Sequence, residues 1–520
     1  TVTNYAWGGA TSGSVNNNNQ ALGLPGQAQE MQVLLASGRH FGISDLIDIT
    51  TASPGGGNDT GAAAYGVGIS TTQGVSNLAG YVQTYMSLGG RNFILTNTSN
   101  LALLQTALVP YANAGARIFL FDEATLANNV AANPKLYGFT VTGEYCRNYG
   151  GSGGTCASPN SGSSPSTATI IAEDQYTSIY QHPTVAFAAL IAAYETNQVL
   201  APATIAAQSE LAQINAGAFS ASLFNRLDSY RSGNASGATS ASSPNVPISL
   251  FAEGSYQSGK RGDQLFSFGY DYHIASSTVG GEYRLNPNVV VGLAVNYSMP
   301  HATLNQSMGH IDADSYQFAG FGSVNYANWF ADVVAGYGFN EYKLDRPGVL
   351  NTIRGNVHGS DALVGAKGGY LFNVAPVKLG PIAGINYTTA ALDSYTEQAE
   401  YLLTQMVGKH TTEMVTGQIG GQIRLSEPFG AAKIDPYVNL TAEHEFLGGD
   451  QSIVTTQAST PLLSVTTPVA GRGDTTYGKV GGGISASLAE GLSAQVNGAT
   501  TFSRKGGDDY GVNAGLKYRF

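Results

Sequence analysis

Three short strings in the first 200 residues hold residue types that a chemical site would need. They are Asn-Tyr-Ala-Trp-Gly-Gly-Ala-Thr at 4–11, Gly-Gly-Gly-Asn-Asp at 55–59 and His-Pro-Thr at 182–184. Each string taken alone also has a structural interpretation. Glycine runs and Asn-Asp pairs are ordinary turn sequences, and His-Pro-Thr suits the start of a helix with proline at its first position. Any indication of function therefore comes from the order of the three strings along the chain and not from a single string.

Taken together, the strings resemble the GDSL (SGNH) esterase/lipase family. That family has an oxyanion-hole glycine in the first string, Gly-x-Asn-Asp in the next and Asp-x-x-His-Pro-Thr near the end of the domain. Residues 90–95 look like the family's central strand, and residues 133–139, which lead to Cys146, look like its later helix-to-loop segment. The resemblance spans nearly all of residues 1–200 and implies an α/β layered domain that hydrolyses carboxylic esters.

The resemblance also implies a mechanism and three of its residues. Ester hydrolysis by a serine passes through a tetrahedral oxyanion, which preorganised hydrogen-bond donors stabilise. The backbone N–H of Gly9 and the side-chain amide of Asn58 would supply two such donors. His182 would be the general base for the nucleophile and then the acid for the leaving alcohol. Such a site needs neither a metal ion nor an organic cofactor.

The sequence departs from the family pattern at two catalytic positions. The family's nucleophilic serine lies in a Gly-Asp-Ser-Leu string upstream of the first string, where this sequence begins. Ser44, in Gly-Ile-Ser-Asp-Leu, is only weakly similar to that string and lies after the first string, where the family has an ordinary strand. No nucleophile is therefore assigned. The aspartate expected three residues before His182 is Ile179, and the nearest upstream carboxylate, Asp174, would need a distorted turn to reach the imidazole. Either the sequence is truncated or the domain has decayed into a noncatalytic one, and Ile179 favours decay.

The two cysteines, Cys146 and Cys156, flank the Gly/Ser stretch 150–154. A loop this short can close as a disulfide in an oxidising compartment, which would stabilise the domain by ~2–4 kcal/mol. Zinc is disfavoured because no second Cys or His pair lies nearby. The first residues have neither the basic start nor the apolar core of a signal peptide. We therefore expect that a leader has been removed.

The C-terminal half has a different pattern. From Tyr510 to Phe520 every second residue is apolar, and the aromatic residues Tyr518 and Phe520 end the chain. A period of two is typical of a strand with one apolar and one polar face. From about Ile248 the pattern recurs in roughly twelve segments. This repetition predicts a transmembrane antiparallel β-barrel of about 12 strands, with a large water-soluble β-sandwich as the alternative.

Connections between these segments mostly alternate in length, as in an outer-membrane barrel with short turns on one side and long loops on the other. Tight connections are predicted at 286–287, 326–328 and 489–491, and long ones at 299–312, 344–359, 394–410 and 446–473.

Composition agrees with a barrel. Charged residues make up 11% of the chain, against roughly 25% in soluble proteins, and no run of 18 apolar residues provides a spanning helix. The 67 Gly and 29 Tyr suit small lumenal positions, turns and interfacial girdles. A net charge of −11 argues against a nucleic-acid partner.

Ahead of the barrel the pattern predicts an α/β layered domain with a parallel sheet. Strand-like runs at 92–95 and 117–121 alternate with Ala-rich helical runs at 81–88, 122–132 and 185–200.

A further helix-like stretch, Ser209 to Arg231, precedes a Ser/Gly/Ala linker at 232–243. Its apolar residues recur at spacings of three and four. Either this helix threads the pore or it closes the N-terminal domain, and the sequence leaves both interpretations open. The predicted domains are an N-terminally incomplete GDSL-like passenger at 1–205, the helix and linker at 206–247, and the barrel at 248–520.

The two halves together look like a GDSL-type autotransporter of type V secretion, whose esterase passenger stays attached to its translocator. It would act on acyl esters at the cell surface, with outer-membrane lipid and the barrel-assembly machinery as partners. The alternative is a noncatalytic surface protein whose degenerate α/β domain serves adhesion or binding. A porin-like channel is a third interpretation, and a helix plugging the lumen would suppress its conductance.

Overall fold

The computed structural model describes twelve stretches of the chain, and the account below concerns these alone. They are residues 3–4, 10–16, 24–50, 59, 68–97, 100–139, 185–230, 247–425, 429–430, 432–446, 451–469 and 475–520. Among these residues, no helix combines the length and the hydropathy that a membrane crossing requires.

A three-stranded parallel sheet lies at the centre of the N-terminal part. Its strands, in spatial order, are β1 (Leu46–Thr50), β2 (Asn92–Asn97) and β3 (Arg117–Asp122). The helices around it are α1 (Gln27–Ala36), α2 (Thr71–Ser87), α3 (Leu101–Asn113) and α4 (Glu123–Ala132), followed by a short 3-10 turn, Pro134–Tyr137. The parallel pairing and the predicted strands at 92–95 and 117–121 are confirmed.

Local sequence explains where two of these helices begin. The Ser70 hydroxyl accepts a hydrogen bond from the Gln73 N–H and caps α2, as expected for serine at this position. Asp122 ends β3 and caps α4, because its carboxylate accepts from the N–H of Thr125 at 3.0 Å. The predicted helix at 122–132 is confirmed, and the one at 81–88 is the last part of α2.

The C-terminal half is built from seventeen strands. In chain order they are β4 (Ile248–Arg261), β5 (Tyr270–Asn286), β6 (Val289–Leu304), β7 (His310–Tyr326), β8 (Trp329–Pro347), β9 (Thr352–Tyr370), β10 (Phe372–Val374), β11 (Val377–Leu392), β12 (Tyr395–Thr396), β13 (Gln405–Val407), β14 (His410–Leu425), β15 (Asp435–Glu445), β16 (Ser452–Gln457), β17 (Ser464–Pro468), β18 (Thr475–Ala489), β19 (Leu492–Phe502) and β20 (Asp509–Arg519).

Twelve of these strands close into an antiparallel barrel, as predicted. They follow one another as β4 to β9, then β11, β14, β15, β18, β19 and β20. The pairings of β20 with β4 and of β9 with β11 close the ring. β10 extends β11 at one edge.

Apolar side chains of the barrel strands point outward and many polar ones inward. Val333 is 56% exposed, whereas its neighbour Asp332 is fully buried in the lumen. Aromatic residues form two outward levels, with Trp329 against Tyr370 at one end and Tyr297 against Tyr316 at the other. An apolar outer band between two aromatic levels is the arrangement of a barrel dissolved in lipid.

The two ends of the barrel differ. At the short-turn end, tight connections join β5 to β6 and β7 to β8. At the long-loop end, the connections from β11 to β14 and from β15 to β18 contribute a separate antiparallel sheet of β12, β13, β16 and β17, called here the loop sheet.

The predicted long connections at 299–312 and 344–359 were wrong in extent. β6 and β7 are joined by 305–309 alone, and β8 and β9 by 348–351. These strands continue past the aromatic level, where their outward residues are polar, such as Asp312 and Lys343, which pair across β7 and β8.

A single helix, α5 (Val185–Tyr230), connects the two parts and has 46 residues. The prediction of two helices, at 185–200 and from Ser209, was wrong because Pro202 lies inside α5 without ending it. Proline removes a backbone hydrogen bond, but its neighbours Ala201 and Thr204 are buried. Packing holds the helical conformation through this position.

At the long-loop end, α5 contacts the parallel sheet through Glu195. The Glu195 carboxylate accepts a hydrogen bond from the Thr96 hydroxyl at 2.5 Å. Burial, and then the charge of Asp48, raises the pKa of Glu195. Burial, and then the charge of Glu195, raises the pKa of Glu123. Both carboxylates are therefore easier to protonate in the folded domain than in the unfolded chain.

This pair makes the stability of the N-terminal domain depend on pH. A carboxyl whose pKa is raised on folding contributes stability below its unfolded pKa and loses it as pH rises through the folded pKa. We expect Glu195→Gln to raise the unfolding temperature of the domain at about pH 7.5 and to change it less at about pH 4.5. The measurement is thermal unfolding of the detergent-solubilised protein, with Glu341→Gln on the exposed face of β8 as control. Equal shifts for the two variants would contradict the assignment.

Candidate functional site in the barrel lumen

The part of α5 from Ser209 to Asp228 lies inside the barrel. About 20 helical residues span about 30 Å, which matches the hydrocarbon thickness of a bilayer. Near the long-loop end, the Ser209 hydroxyl lies 2.9 Å from His410 Nε2, and Glu210 pairs with Arg261 at 3.1 Å. The question that the sequence left open is thus answered: the helix threads the barrel.

In the middle of the lumen, α5 is held by neutral polar contacts. The Asn215 amide donates to the Ser315 hydroxyl at 2.9 Å and accepts from the Ser298 hydroxyl at 2.8 Å. The Ser220 hydroxyl donates to Asn386 at 2.8 Å. Buried polar groups need such partners, because an unsatisfied one costs about 1–3 kcal/mol. These contacts fix the rotation of the helix about its own axis and its position along the barrel axis.

The apolar side of α5 packs against an apolar patch of the wall. Phe224 and Leu227 share a buried cluster with Phe251, Val334 and Leu363. Both helix residues are among the apolar residues whose spacing of three and four predicted this helix. A Cβ at Gly365 would lie 2.8 Å from the Phe224 ring, so glycine at this position makes room for the helix.

Arg226 forms the main ionic contact between helix and wall. Its Nη1 lies 2.6 Å from Glu253 and its Nε 2.5 Å from Glu282, and all three side chains are at most 3% exposed. Its guanidinium carbon lies 3.5 Å from the centre of the Phe251 ring. Lys517 pairs with Glu282 at 3.2 Å. Two cations and two carboxylates therefore balance one another in a mostly buried cluster, in which Lys517 is the most exposed member.

Asp228 anchors the helix at the short-turn end. Its carboxylate lies 2.7 Å from Lys367 Nζ and accepts longer hydrogen bonds from Gln422 and Asn439. Its backbone carbonyl accepts from Arg424 at 3.1 Å. The last turn in the lumen is therefore tied to the wall through both side chain and backbone.

A cavity of about 260 Å³ lies beside the helix and is lined by α5 and by strands that include β4, β15, β18, β19 and β20. Most of the residues that line it have polar side chains, including Ser222 and Asn497. At the long-loop end Arg504 contacts Glu445 and Asp509, and Arg261 pairs with Asp509 at 2.7 Å. Within the described ranges, no three His, Cys, Asp or Glu side chains are grouped as a metal site. The lumen is built to hold a chain segment.

Sequence reasoning missed the lumenal charges. Glu253 and Glu282 occupy inward positions of strands whose outward residues are mostly apolar. Charges at inward positions of a chain this poor in charge are the signal that could have marked them. Their partner Arg226 is in another segment, so the pairing itself was not readable.

The predicted hydrolase residues fall outside the described ranges. These are Gly9, Asn58, Asp174, His182, Ile179 and the cysteines Cys146 and Cys156. Ser44 is described and lies exposed in a turn before β1. Tyr518 and Phe520 lie exposed on the outer face, with ring centres 5.1 Å apart.

Two residues beside the predicted oxyanion hole are described and touch each other. Asp59, next to Asn58, accepts from the Ser12 N–H and from the Ser12 hydroxyl, both at 2.7 Å. Tyr81 donates its hydroxyl to the Ser12 carbonyl at 2.6 Å. Burial, then the charges of Glu30 and Asp59, raises the pKa of Tyr81 to about 12, which keeps this donor protonated. The segment that follows the first string is therefore bound to the end of the second.

Comparison with known proteins gives matches to the barrel part of the chain. A family model described as autotransporter beta-domain matches residues 250–499, just under half of the chain. Comparison with curated proteins gives no match.

Solved structures that are similar to this chain include three autotransporter domains. The translocator domain of NalP from Neisseria meningitidis is 16% identical, with 60% of this chain and 99% of that chain covered and a TM-score of 0.47. The beta domain of Bordetella BrkA is 14% identical, with 53% and 100% covered and a TM-score of 0.40. The transport unit of AIDA-I from Escherichia coli is 14% identical, with 59% and 99% covered and a TM-score of 0.37.

Proposed function

We propose, on the premise that residues 250–499 form an autotransporter translocator domain in the outer membrane, that the chain displays a GDSL-type ester hydrolase domain at the cell surface. The N-terminal part is exposed at that surface, and α5 ties it to the barrel. The observation that carries the display function is the helix bound throughout the lumen by residues such as Asn215, Arg226 and Asp228. A segment held at this many points works as a permanent tether.

The contact between Ser12 and Asp59 supports the hydrolase assignment. It joins the residue that directly follows the string at 4–11 to the last residue of the string at 55–59, the two strings that the resemblance assigns to the oxyanion hole. The second string follows the carboxyl end of β1, and ligands of open parallel sheets bind at that edge. The domain boundaries proposed for the passenger, the helix with its linker, and the barrel are those predicted from the sequence.

The proposed reaction is acyl transfer from a carboxylic ester to a serine, followed by hydrolysis. Gly9 and Asn58 would stabilise the oxyanion, and His182 would move the proton. The serine is not assigned in this sequence, and Ile179 occupies the position of the orienting acid. The second candidate function, noncatalytic binding or adhesion, is favoured by Ile179 in particular.

A p-nitrophenyl butyrate assay on cells that display the protein tests the proposal. We expect turnover once a Gly-Asp-Ser-Leu segment is restored upstream, and a further gain with Ile179→Asp, since an orienting aspartate is worth up to ~10⁴ in serine proteases. Asn58→Ala in the restored chain should lower kcat by ~10²–10³. Leu462→Ala, on the loop sheet, is the control. No turnover in the restored chain carrying Ile179→Asp would favour the binding function.

A further inference from the structure

The loop sheet contributes a side chain to the core of the N-terminal domain. Leu463, in the turn between β16 and β17, is 1% exposed and belongs to the buried cluster that includes Leu104, Leu108 and Leu120. The backbone N–H of Leu462 donates to Gln105 of α3 at 3.2 Å. A barrel loop thus completes a core that residues 47–120 otherwise form.

A second loop contacts the opposite face of the same strand. Leu402 and Leu403, between β12 and β13, share a buried cluster with Phe121, Leu126 and Val130. Leu120 and Phe121 are neighbours in β3, and neighbouring strand residues point to opposite faces. The loops of the barrel therefore hold β3 from both faces of the sheet.

Barrel loops also make polar contacts with α5 and a cation–π contact with the start of β3. The Tyr194 hydroxyl donates to Glu400 at 2.7 Å, and the Gln198 amide donates to the Leu402 carbonyl at 2.8 Å. The guanidinium of Arg117, at the start of β3, lies 4.2 Å from the centre of the Phe266 ring in the connection between β4 and β5. Three separate loops of the barrel thus contact the N-terminal domain.

We infer that the loop sheet and its neighbouring loops are a docking surface that retains the N-terminal domain on the barrel without the covalent connection. This inference goes beyond the proposed function, since it holds for a catalytic and for a noncatalytic domain alike. Its physical basis is that separation would expose Leu463, Leu402 and Leu403 together with the apolar side chains of β3 that they cover. Water penalises that exposure in proportion to the apolar area.

The test is to cut the chain and ask whether the domain leaves. A protease site inserted within residues 157–166 lies after both cysteines and before α5, so cleavage breaks the covalent connection of the N-terminal domain to the helix and the barrel. Cells displaying the full protein are cleaved and sedimented, and an N-terminal epitope is followed in pellet and supernatant. We expect the fragment to stay with the cells in the parent protein and to appear in the supernatant for Leu463→Asp. Leu462→Asp, at a 52% exposed neighbour, should be retained like the parent.

A milder variant covers the case in which Leu463→Asp fails to reach the surface. After cleavage, the cells are washed with increasing urea. Leu463→Ala should lower the urea concentration for half release by about 1 M, given typical costs of core Leu→Ala and typical m-values, and Leu462→Ala should leave it unchanged. Loss of the parent fragment on cleavage alone, or equal midpoints for the two alanine variants, would overturn the inference.

Discussion

Arg226→Ala is expected to destabilise the folded barrel by about 3–5 kcal/mol, the typical cost of removing one partner from a buried ion pair. The substitution removes the cation that contacts both Glu253 and Glu282. Lys517 would remain with Glu282, whereas Glu253 would keep the neutral donors Ser222 and Gln495 but lose its cation. The charge balance of this cluster would be lost, and α5 would lose its main ionic contact with the barrel wall.

Unfolding in urea, measured on protein reconstituted in lipid vesicles, checks this expectation. Arg354→Ala is the matched control, since Arg354 is 71% exposed and lies 3.7 Å from Asp345. Exposed pairs are worth about 0–1 kcal/mol, so the control should unfold close to the parent midpoint. A similar small loss for both variants would show that the Arg226 contacts do not hold the barrel together.

An arginine placed on the outer face should impair membrane assembly, and its position sets the size of the effect. Val333 lies on β8 between Trp329, at one aromatic level, and Phe339, which lies opposite Tyr316 of the other level. Leu516 lies only two residues from Tyr518 on β20. A lipid-facing arginine costs ~2–4 kcal/mol at mid-bilayer and less toward the interface. We therefore expect Val333→Arg to be the more damaging, with Leu516→Arg intermediate.

Heat-modifiable migration on gels and recovery in the membrane fraction measure assembly. Asn356→Arg is the control, because Asn356 lies exposed on β9 opposite Lys343, beyond the aromatic level at the long-loop end. It should assemble normally. If Val333→Arg and Asn356→Arg assembled equally well, Val333 would not face lipid.

The period of two was enough to predict the barrel and the direction of its outer side chains. Alternation of Val333 with Asp332 needs no knowledge of partners, because the strand itself sets it. Strand ends were harder: β6 to β9 continue past the membrane, where outward residues such as Asp312 no longer alternate in polarity. Inward apolar residues such as Leu363 were also unreadable, since they face the helix and not water.

Helix α5 shows a second limit of prediction from the sequence alone. Its apolar spacing predicted a helix from Ser209, but it did not predict that this helix continues through Pro202 into residues 185–200. Contacts of Arg226 with residues 27 and 56 positions away depend on closure of the barrel. The oxyanion-hole residues remain predictions, and only their neighbours Ser12 and Asp59 bear on them.

Counting passages through the bilayer gives the helix a further meaning. Twelve antiparallel strands are an even number, so by themselves they return a chain to the side where it started. Helix α5 crosses the barrel from the rim where Glu210 pairs with Arg261 to the rim where Asp228 contacts Arg424. This crossing is the thirteenth passage. The odd total leaves Val185 and Phe520 in different compartments, and a single helix thereby decides on which side of the membrane the N-terminal domain works.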